Sequence, residues 1–339
     1  MEKLLRKHPV IEEMLSLIEA ECKLAITGRF EKETLPLRNM LLYHMGWESE
    51  SYRKKGKRIR PLLVCLSSHL AGGDWRCVLP AAGSLELIHN FSLIHDDIQD
   101  QSTTRHGRET LWVKFGIAQA INAGDALFSL ALDEIWNLTS TYPQKEVGEC
   151  SHLLTTTSIR LTEGQYLDID FENRQQVTPD EYFAMVSGKT TALIEVCTQI
   201  GALLGSSNRE VVEHFRLYGK YLGLAFQIVD DYLGIWGDAA LTGKSNSSDL
   251  VSGKMSYPVV LALSLNNEFA ARWRRKKISP DELPDVLQLL ENSGINELTK
   301  AQALESTQLA FRHLEKAASS HPDYEILTEL TSWLLQRVN

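Results

Sequence analysis

Apolar residues recur at helical spacing along almost all of this chain, and no run alternates cleanly with period two. That pattern constrains the fold more than any other feature. Helical stretches are read over residues 80–99, 115–137, 151–170, 180–204, 210–234, 255–266, 280–292, 297–319 and 323–337. In the first, Leu85, Ile88, Phe91, Leu93 and Ile94 wrap a largely buried cylinder. Near the N-terminus, Ile11, Met14, Leu15 and Ile18 mark an amphipathic helix, and the apolar run from Leu62 to Leu66 suits a core helix. Breakers are scarce, with 21 glycines and 10 prolines in 339 residues, below the roughly 12% of average usage. Gly116 and Gly124 are expected where helices pack closely, and Pro179 followed by Asp180 and Glu181 marks a helix start. Polar, turn-rich segments fall at 46–58, 101–110, 138–149, 172–179 and 237–254, and none reads as an interdomain linker. Length alone suggests two domains. The helical pattern predicts instead one all-α domain of ten or more helices over residues 1–339, with no sheet.

Charge and cysteine usage narrow the class. With 35 Lys+Arg against 44 Asp+Glu, the net charge of −9 argues against a dedicated nucleic-acid binder. It leaves anionic ligands open, because a site is built from local charge. Cys22, Cys65, Cys77, Cys150 and Cys197 contain no C-x-x-C pair, so they suit neither a disulfide framework nor zinc and fit the reducing cytoplasm. The charged N-terminus lacks the apolar run of a signal peptide, and no stretch approaches the roughly 20 apolar residues of a membrane span.

Three constellations carry chemistry. Asp96-Asp97-Ile98-Gln99-Asp100 ends an apolar helical run. Residues i and i+4 share a helix face about 6 Å apart along the axis, so Asp96 and Asp100 present two carboxylates in register. Such crowded acids repel unless a cation neutralises them, and hard oxygen ligands without His or Cys suit Mg²⁺. Asp230-Asp231-Tyr232-Leu233-Gly234 repeats the arrangement after Phe226-Gln227-Ile228-Val229. Two such pairs suggest opposed rims of one cavity clamping a diphosphate through metal ions. The third constellation is basic: Arg53, Lys54, Lys55, Lys57, Arg58 and Arg60, with further cations at Arg105, Arg108, Lys189, Lys244 and Lys254. Each feature alone also has an ordinary reading, as a solvated acidic helix end or a solvated basic patch.

In order along the chain stand GKRIRP, ELIHNFSLIHDDIQD, RHGRETLW, GDAL, EGQYLD, GKTTALIE, FQIVDDYLGIWGD and TGK–SGKMSYP, from about residue 52 to 260. With this series the chain resembles the trans-type isoprenyl diphosphate synthases, the short-chain polyprenyl synthase family. The resemblance implies an all-α fold around a deep central cavity, a homodimer, and head-to-tail condensation of an allylic diphosphate with isopentenyl diphosphate. It implies that Asp96 and Asp100 bind two Mg²⁺ with Asp97 in support, and that Asp230 binds a third with Asp231 nearby. It gives Arg105, Lys189, Lys244 and Lys254 to the allylic diphosphate, and Thr190 and Gln227 to the reacting centre. Lys57, Arg60 and His89 fall to the isopentenyl diphosphate, as does His106, which stands where the family usually has a second arginine. Either that site is weakened or Arg108 compensates. Gly234 stands where a third aspartate is common.

Product length in such enzymes follows from what blocks the cavity below the first acid motif. Phe91 lies five residues before Asp96, about 7.5 Å along the helix, and Ser92 is small. That pattern resembles geranylgeranyl diphosphate (C20) synthases, whereas two adjacent aromatics would favour farnesyl diphosphate (C15). The plain alternative is that Phe91 is ordinary core. His89 and His95 could each be a satisfied, half-buried histidine. A terpene cyclase on the same scaffold is the rival enzyme; GKRIRP and His89 argue against it. A silent regulatory subunit is disfavoured by two intact acid motifs. The expected partners are prenyl diphosphates and a second copy of the chain, with no nucleic acid and no membrane-spanning segment.

Overall fold

Eight consecutive residues, Ala81 to Ile88, are buried on every side of helix α5 (Leu79–Gln99). A helix apolar around its whole circumference must be enclosed by others, and α5 packs against α2 (Pro9–Thr27), α4 (Ile59–Leu70) and α7 (Ile117–Glu134). The computed structural model describes residues 2–48, 56–237, 248–275 and 278–335. They form two compact units, Met1–Ser158 with Val196–Val212 and Ile159–Glu195 with Glu213–Asn339. The first unit also holds α1 (Glu2–Lys7), α3 (Leu35–Met45) and α6 (Leu111–Phe115).

Within the first unit the buried Ser84, Glu86 and Asn90 of α5 are satisfied internally. Ser84 Oγ donates to the Ala131 carbonyl at 2.7 Å. Glu86 accepts from Arg58 Nη1 at 2.6 Å and from Asn90 Nδ2 at 2.8 Å. Arg58 caps α4 in the left-handed region (φ 51°) and also reaches Glu19 on α2 at 3.0 Å. A non-glycine residue in that region carries strain, offset here by a buried ion pair to Glu86 and a part-buried one to Glu19 that tie α2, α4 and α5 together.

The second unit takes its residues from α8 (Gln144–Phe171), α9 (Pro179–Val186), α10 (Ala192–Gly205) and α11 (Arg209–Trp236), the first, third and last of which also extend into the first unit. It adds α12 (Ser248–Ser252), α13 (Tyr257–Ser264), α14 (Glu268–Trp273), α15 (Leu283–Asn292), α16 (Ile295–Ala318) and α17 (Tyr324–Leu335). Helix α13 packs on α9 and α16, and α17 packs on α16. The start of α9 is a capping box: Thr178 Oγ1 accepts from the Glu181 N–H, and Glu181 accepts from the Thr178 N–H at 2.9 Å.

The fold is all-α, as the periodicity predicts, with four local differences. A two-residue antiparallel pair, β1 (Thr104–Arg105) with β2 (Arg108–Glu109), stands where no strand was expected. His106 (φ 53°) and Gly107 (φ 80°) make the left-handed turn that closes it, and two-residue strands are too short to show alternation. The stretch read over 180–204 is broken by a π-helical turn, Ser187–Thr191. Helix α8 begins at Gln144, inside a segment read as a polar turn, because its first turns lack a strong apolar face. Gly116 is a turn residue (φ 83°) joining α6 to α7, not a close-packing point, and a Cβ there would meet nothing within 4 Å. Against the expectation that no stretch approaches a membrane span, Trp75–Gln99 is long and apolar enough by composition to cross a membrane, yet most of it is buried within the protein.

Candidate active site

Helix α5 delivers Asp96 half-buried and Asp100 exposed, one turn apart at its C-terminal end. The helix dipole places partial negative charge at that end, so these carboxylates add to an already negative potential and call for a cation. Asp97, 2% exposed, is committed elsewhere. Its oxygens accept from Arg105 Nε at 3.0 and 2.9 Å and from Nη2 at 2.8 Å. This bidentate pair holds the β1–β2 hairpin beside the acid motif. The carboxylate oxygens of Asp96 and Asp100 suit Mg²⁺ as hard donors.

The same unit carries a positive region. Arg60 Nη1 lies 3.1 Å from His89 Nε2, while Arg60 Nε and His44 Nε2 are buried without a hydrogen-bond partner. Burial, then Arg60, Arg105 and Arg58, push the His89 pKa well below its ordinary value. Burial, then Arg105, Arg58 and Arg108, push His44 down to about 3. Two imidazoles kept neutral by burial first and by the arginines second, beside the orphaned Arg60 Nε and His44 Nε2, make a region that an anion would satisfy. Arg108, the alternative to a second binding arginine, is engaged on α3. Its Nη1 donates to the Tyr43 carbonyl at 2.8 Å and its guanidinium covers the Tyr43 ring, tying the hairpin to the C-terminal end of α3. His106 is exposed at the hairpin turn, and burial followed by Arg105 and Arg108 lowers its pKa. Lys57 is exposed. Arg53, Lys54, Lys55 and Lys244 lie outside the described residues.

Phe91 is half-buried, with ring centroids 5.2 Å from Phe128 and 5.0 Å from His95. A Cβ on Gly124 would lie 2.3 Å from His95 Nε2, and Asp125 Oδ1 is 3.5 Å from that nitrogen. The Gly-Asp of the GDAL motif therefore makes room for an imidazole and faces it with a carboxylate. Ser92 Oγ donates back to the His89 carbonyl at 2.8 Å.

In the second unit, Gly164 on α8 and Gly188 in the π turn allow two backbones to touch. A Cβ on Gly164 would lie 2.1 Å from the Lys189 nitrogen. The contact sets Lys189 Nζ on Asp168, an ion pair that explains the EGQYLD and GKTTAL motifs together. Thr190 Oγ1 donates to Gln227 Oε1 at 2.6 Å, and Gln227 Nε2 donates to Asp231 Oδ1 at 2.9 Å. Asp231 is 1% exposed, while Asp230 beside it is half-buried. Lys254 Nζ sits 3.4 Å from Asp231 Oδ1 and 3.9 Å from Asp249 Oδ2, and Asp231 leads the causes that raise its pKa, with Asp249, Asp230 and Asp168 contributing. Two ammoniums, Lys189 and Lys254, among four carboxylates leave negative charge for a further cation.

The glycine at the third-aspartate position also has a structural reason. A Cβ on Gly234 would lie 2.2 Å from Asp249 Oδ2, so the α12 carboxylate occupies the space a side chain there would need. Sequence reasoning assigned no role to Asp249, Asp168, His44, Tyr182 or Phe128. Two of these carried a signal: Asp168 closes the EGQYLD motif, and Phe128 follows Gly124 at i+4 and shares its helix face.

The polyprenyl synthetase family model matches residues 47–290. A (2E,6E)-farnesyl diphosphate synthase from Mycobacterium tuberculosis is 39% identical over 279 residues, covering 79% of this chain and 77% of that protein. A geranylgeranyl diphosphate synthase from the same species is 34% identical over 331 residues, covering 94% and 92%. The crystal structure of a geranylgeranyl pyrophosphate synthetase from Pyrococcus horikoshii superposes with a TM-score of 0.87 at 30% identity, covering 99% of this chain and 98% of the other.

Proposed function

The chain belongs to the polyprenyl synthetase family and is a prenyl diphosphate synthase, a prenyltransferase, and from that premise we propose that it elongates an allylic diphosphate with isopentenyl diphosphate to geranylgeranyl diphosphate. The similar proteins carry both farnesyl and geranylgeranyl names, so the choice of C20 rests on this chain's own residues. The observation that carries it is Phe91, backed by Phe128, with the small Ser92 beside it. A single aromatic block of this kind, below Asp96, leaves room for one isoprene unit more than two adjacent aromatics would.

In this reading Asp96 and Asp100 would hold two Mg²⁺ and Asp230 a third, with Asp97 and Asp231 in support. Bound Mg²⁺ would stabilise the charge that grows on the departing diphosphate. Lys189, Arg105 and Lys254, with Lys244, bind that diphosphate directly, a preorganised electrostatic contribution of the kind that usually dominates catalysis. Arg60, His89 and Lys57 hold the isopentenyl diphosphate, with His106 at the edge of that site; the buried, unpartnered Arg60 Nε supports an anion there. Thr190 and Gln227 line the reacting centre. Apolar helix walls keep water from the carbocation. The proton released after attack of the homoallylic double bond goes to the departing diphosphate, so no side-chain base is required.

We read residues 1–339 as one catalytic domain acting as a homodimer in the cytoplasm. Val113, Ile117 and Ile121 along α6 and α7, with Trp136, are exposed, and an exposed apolar stripe of this kind supports self-association. Four of the five free cysteines are buried, in keeping with a reducing compartment. Incubation with Mg²⁺, isopentenyl diphosphate and an allylic diphosphate tests the reaction. Product formation should require isopentenyl diphosphate and stop when a chelator removes the metal. Hydrocarbon or alcohol formed from a prenyl diphosphate alone would make the chain a cyclase instead.

A further inference from the structure

We infer that Tyr182 is a positioning residue for prenyl transfer, acting through Asp231 on Gln227 and Lys254; the inference rests on the reading of function above. Tyr182 on α9 is fully buried, and its hydroxyl donates to Asp231 Oδ2 at 2.6 Å. The same oxygen accepts the Tyr257 backbone N–H at 2.8 Å. Two donors on Oδ2 fix the rotation of the carboxylate, which leaves Oδ1 aimed at Gln227 Nε2 and Lys254 Nζ. Because a carboxylate only accepts, the Gln227 amide must turn its NH₂ toward Asp231 and its oxygen toward Thr190. One phenol thereby sets the orientation of a glutamine, a threonine hydroxyl and an ammonium.

The ring is itself held. Its centroid lies 5.5 Å from that of Phe183 and 5.4 Å from that of Tyr257, in tilted and edge contacts that define one rotamer. Burial and the Asp231 charge both push the phenol pKa upward, so the hydroxyl remains a donor throughout the working pH range. The two adjacent aspartates then divide their roles. Asp230 remains for the metal, while Asp231, with four donors around it, anchors the groups that meet the substrate.

The test uses the full chain as wild type, Tyr182→Phe, Asp231→Asn and the double variant. Removing one hydrogen bond to a charged group is expected to lower kcat about tenfold or more. The half-saturating Mg²⁺ concentration and both KM values should stay within about twofold, as expected for an interaction felt mainly in the transition state. The double variant should be no slower than Asp231→Asn alone. An unchanged kcat, effects that multiply, or a raised Mg²⁺ requirement would overturn the proposal. Hydrogen exchange at the Tyr257 amide gives a readout that needs no turnover. Tyr182→Phe should accelerate exchange there and leave the rest of α9 and α13 protected; unchanged protection of Tyr257 would also overturn the proposal. Should Tyr182→Phe fold poorly, Asp231→Asn carries the same comparison, with Tyr257 exchange accelerated and the Mg²⁺ requirement held. A wild-type chain that makes no elongated product would refute the functional reading, while Tyr257 exchange still decides the link between Tyr182 and Asp231.

Discussion

Single residues show where the sequence could not assign its own charges. In GKRIRP the cations alternate in use: Lys57 is exposed, Arg58 is bound to Glu19 and Glu86, and Arg60 meets His89. That division depends on the left-handed turn at Arg58, which no local pattern announces. Arg108 likewise could be read as a ligand until its guanidinium is seen on the Tyr43 carbonyl and ring. The acid motifs were more legible, because i,i+4 geometry alone places Asp96 and Asp100 on one face. Gly164 was quoted only as part of a motif, and its close contact with the Lys189 backbone needs two segments brought together in space. Gly164→Ala should therefore destabilise the protein by about 3 kcal/mol, the upper range for overpacking against atoms that cannot yield. Chemical denaturation would measure it, and a stability equal to wild type would contradict the close-contact reading.

At the scale of elements, long helices were readable from periodicity and capping, as α5 and the Thr178–Glu181 start of α9 show. The π turn at Ser187–Thr191 and the β1–β2 hairpin were not, since each is set by a contact or a turn shorter than the period that would reveal it. The contact among α2, α5 and α7 holds another feature without a sequence signature. Glu21 and Glu134 both lie over Gly83, and burial, with the neighbouring Glu21 carboxyl adding to it, raises the Glu134 pKa to about 7 while Asn137 opposes the shift. A carboxyl whose folded pKa is raised gives its full stability below the unfolded value near 4.5 and loses it as pH rises through about 7. Wild type should lose on the order of 1–2 kcal/mol between roughly pH 5 and pH 8 from this group. Glu134→Gln should flatten that slope in thermal unfolding; an unchanged slope would remove Glu134 as its cause.

For the whole molecule, the family was legible from the ordered motifs, the all-α class from periodicity and the product-length pattern from Phe91 and Ser92, while the exposed face that supports assembly was not. The exposed Ile117 and Ile121 fall on helical spacing that sequence alone assigns equally well to core. If that stripe joins two copies, Ile121→Asp should convert a dimer to a monomer in analytical ultracentrifugation, and a dimer that survives would place the interface elsewhere. Elongation in this chain is proposed to stop at C20 on the block formed by Phe91 and Phe128. The most direct measurement is the mass of the prenyl alcohol released by phosphatase after reaction of dimethylallyl diphosphate with excess isopentenyl diphosphate and Mg²⁺. Wild type should release geranylgeraniol, and Phe91→Ala longer alcohols. Farnesol as the wild-type end product, or a length unchanged in Phe91→Ala, would contradict that proposal.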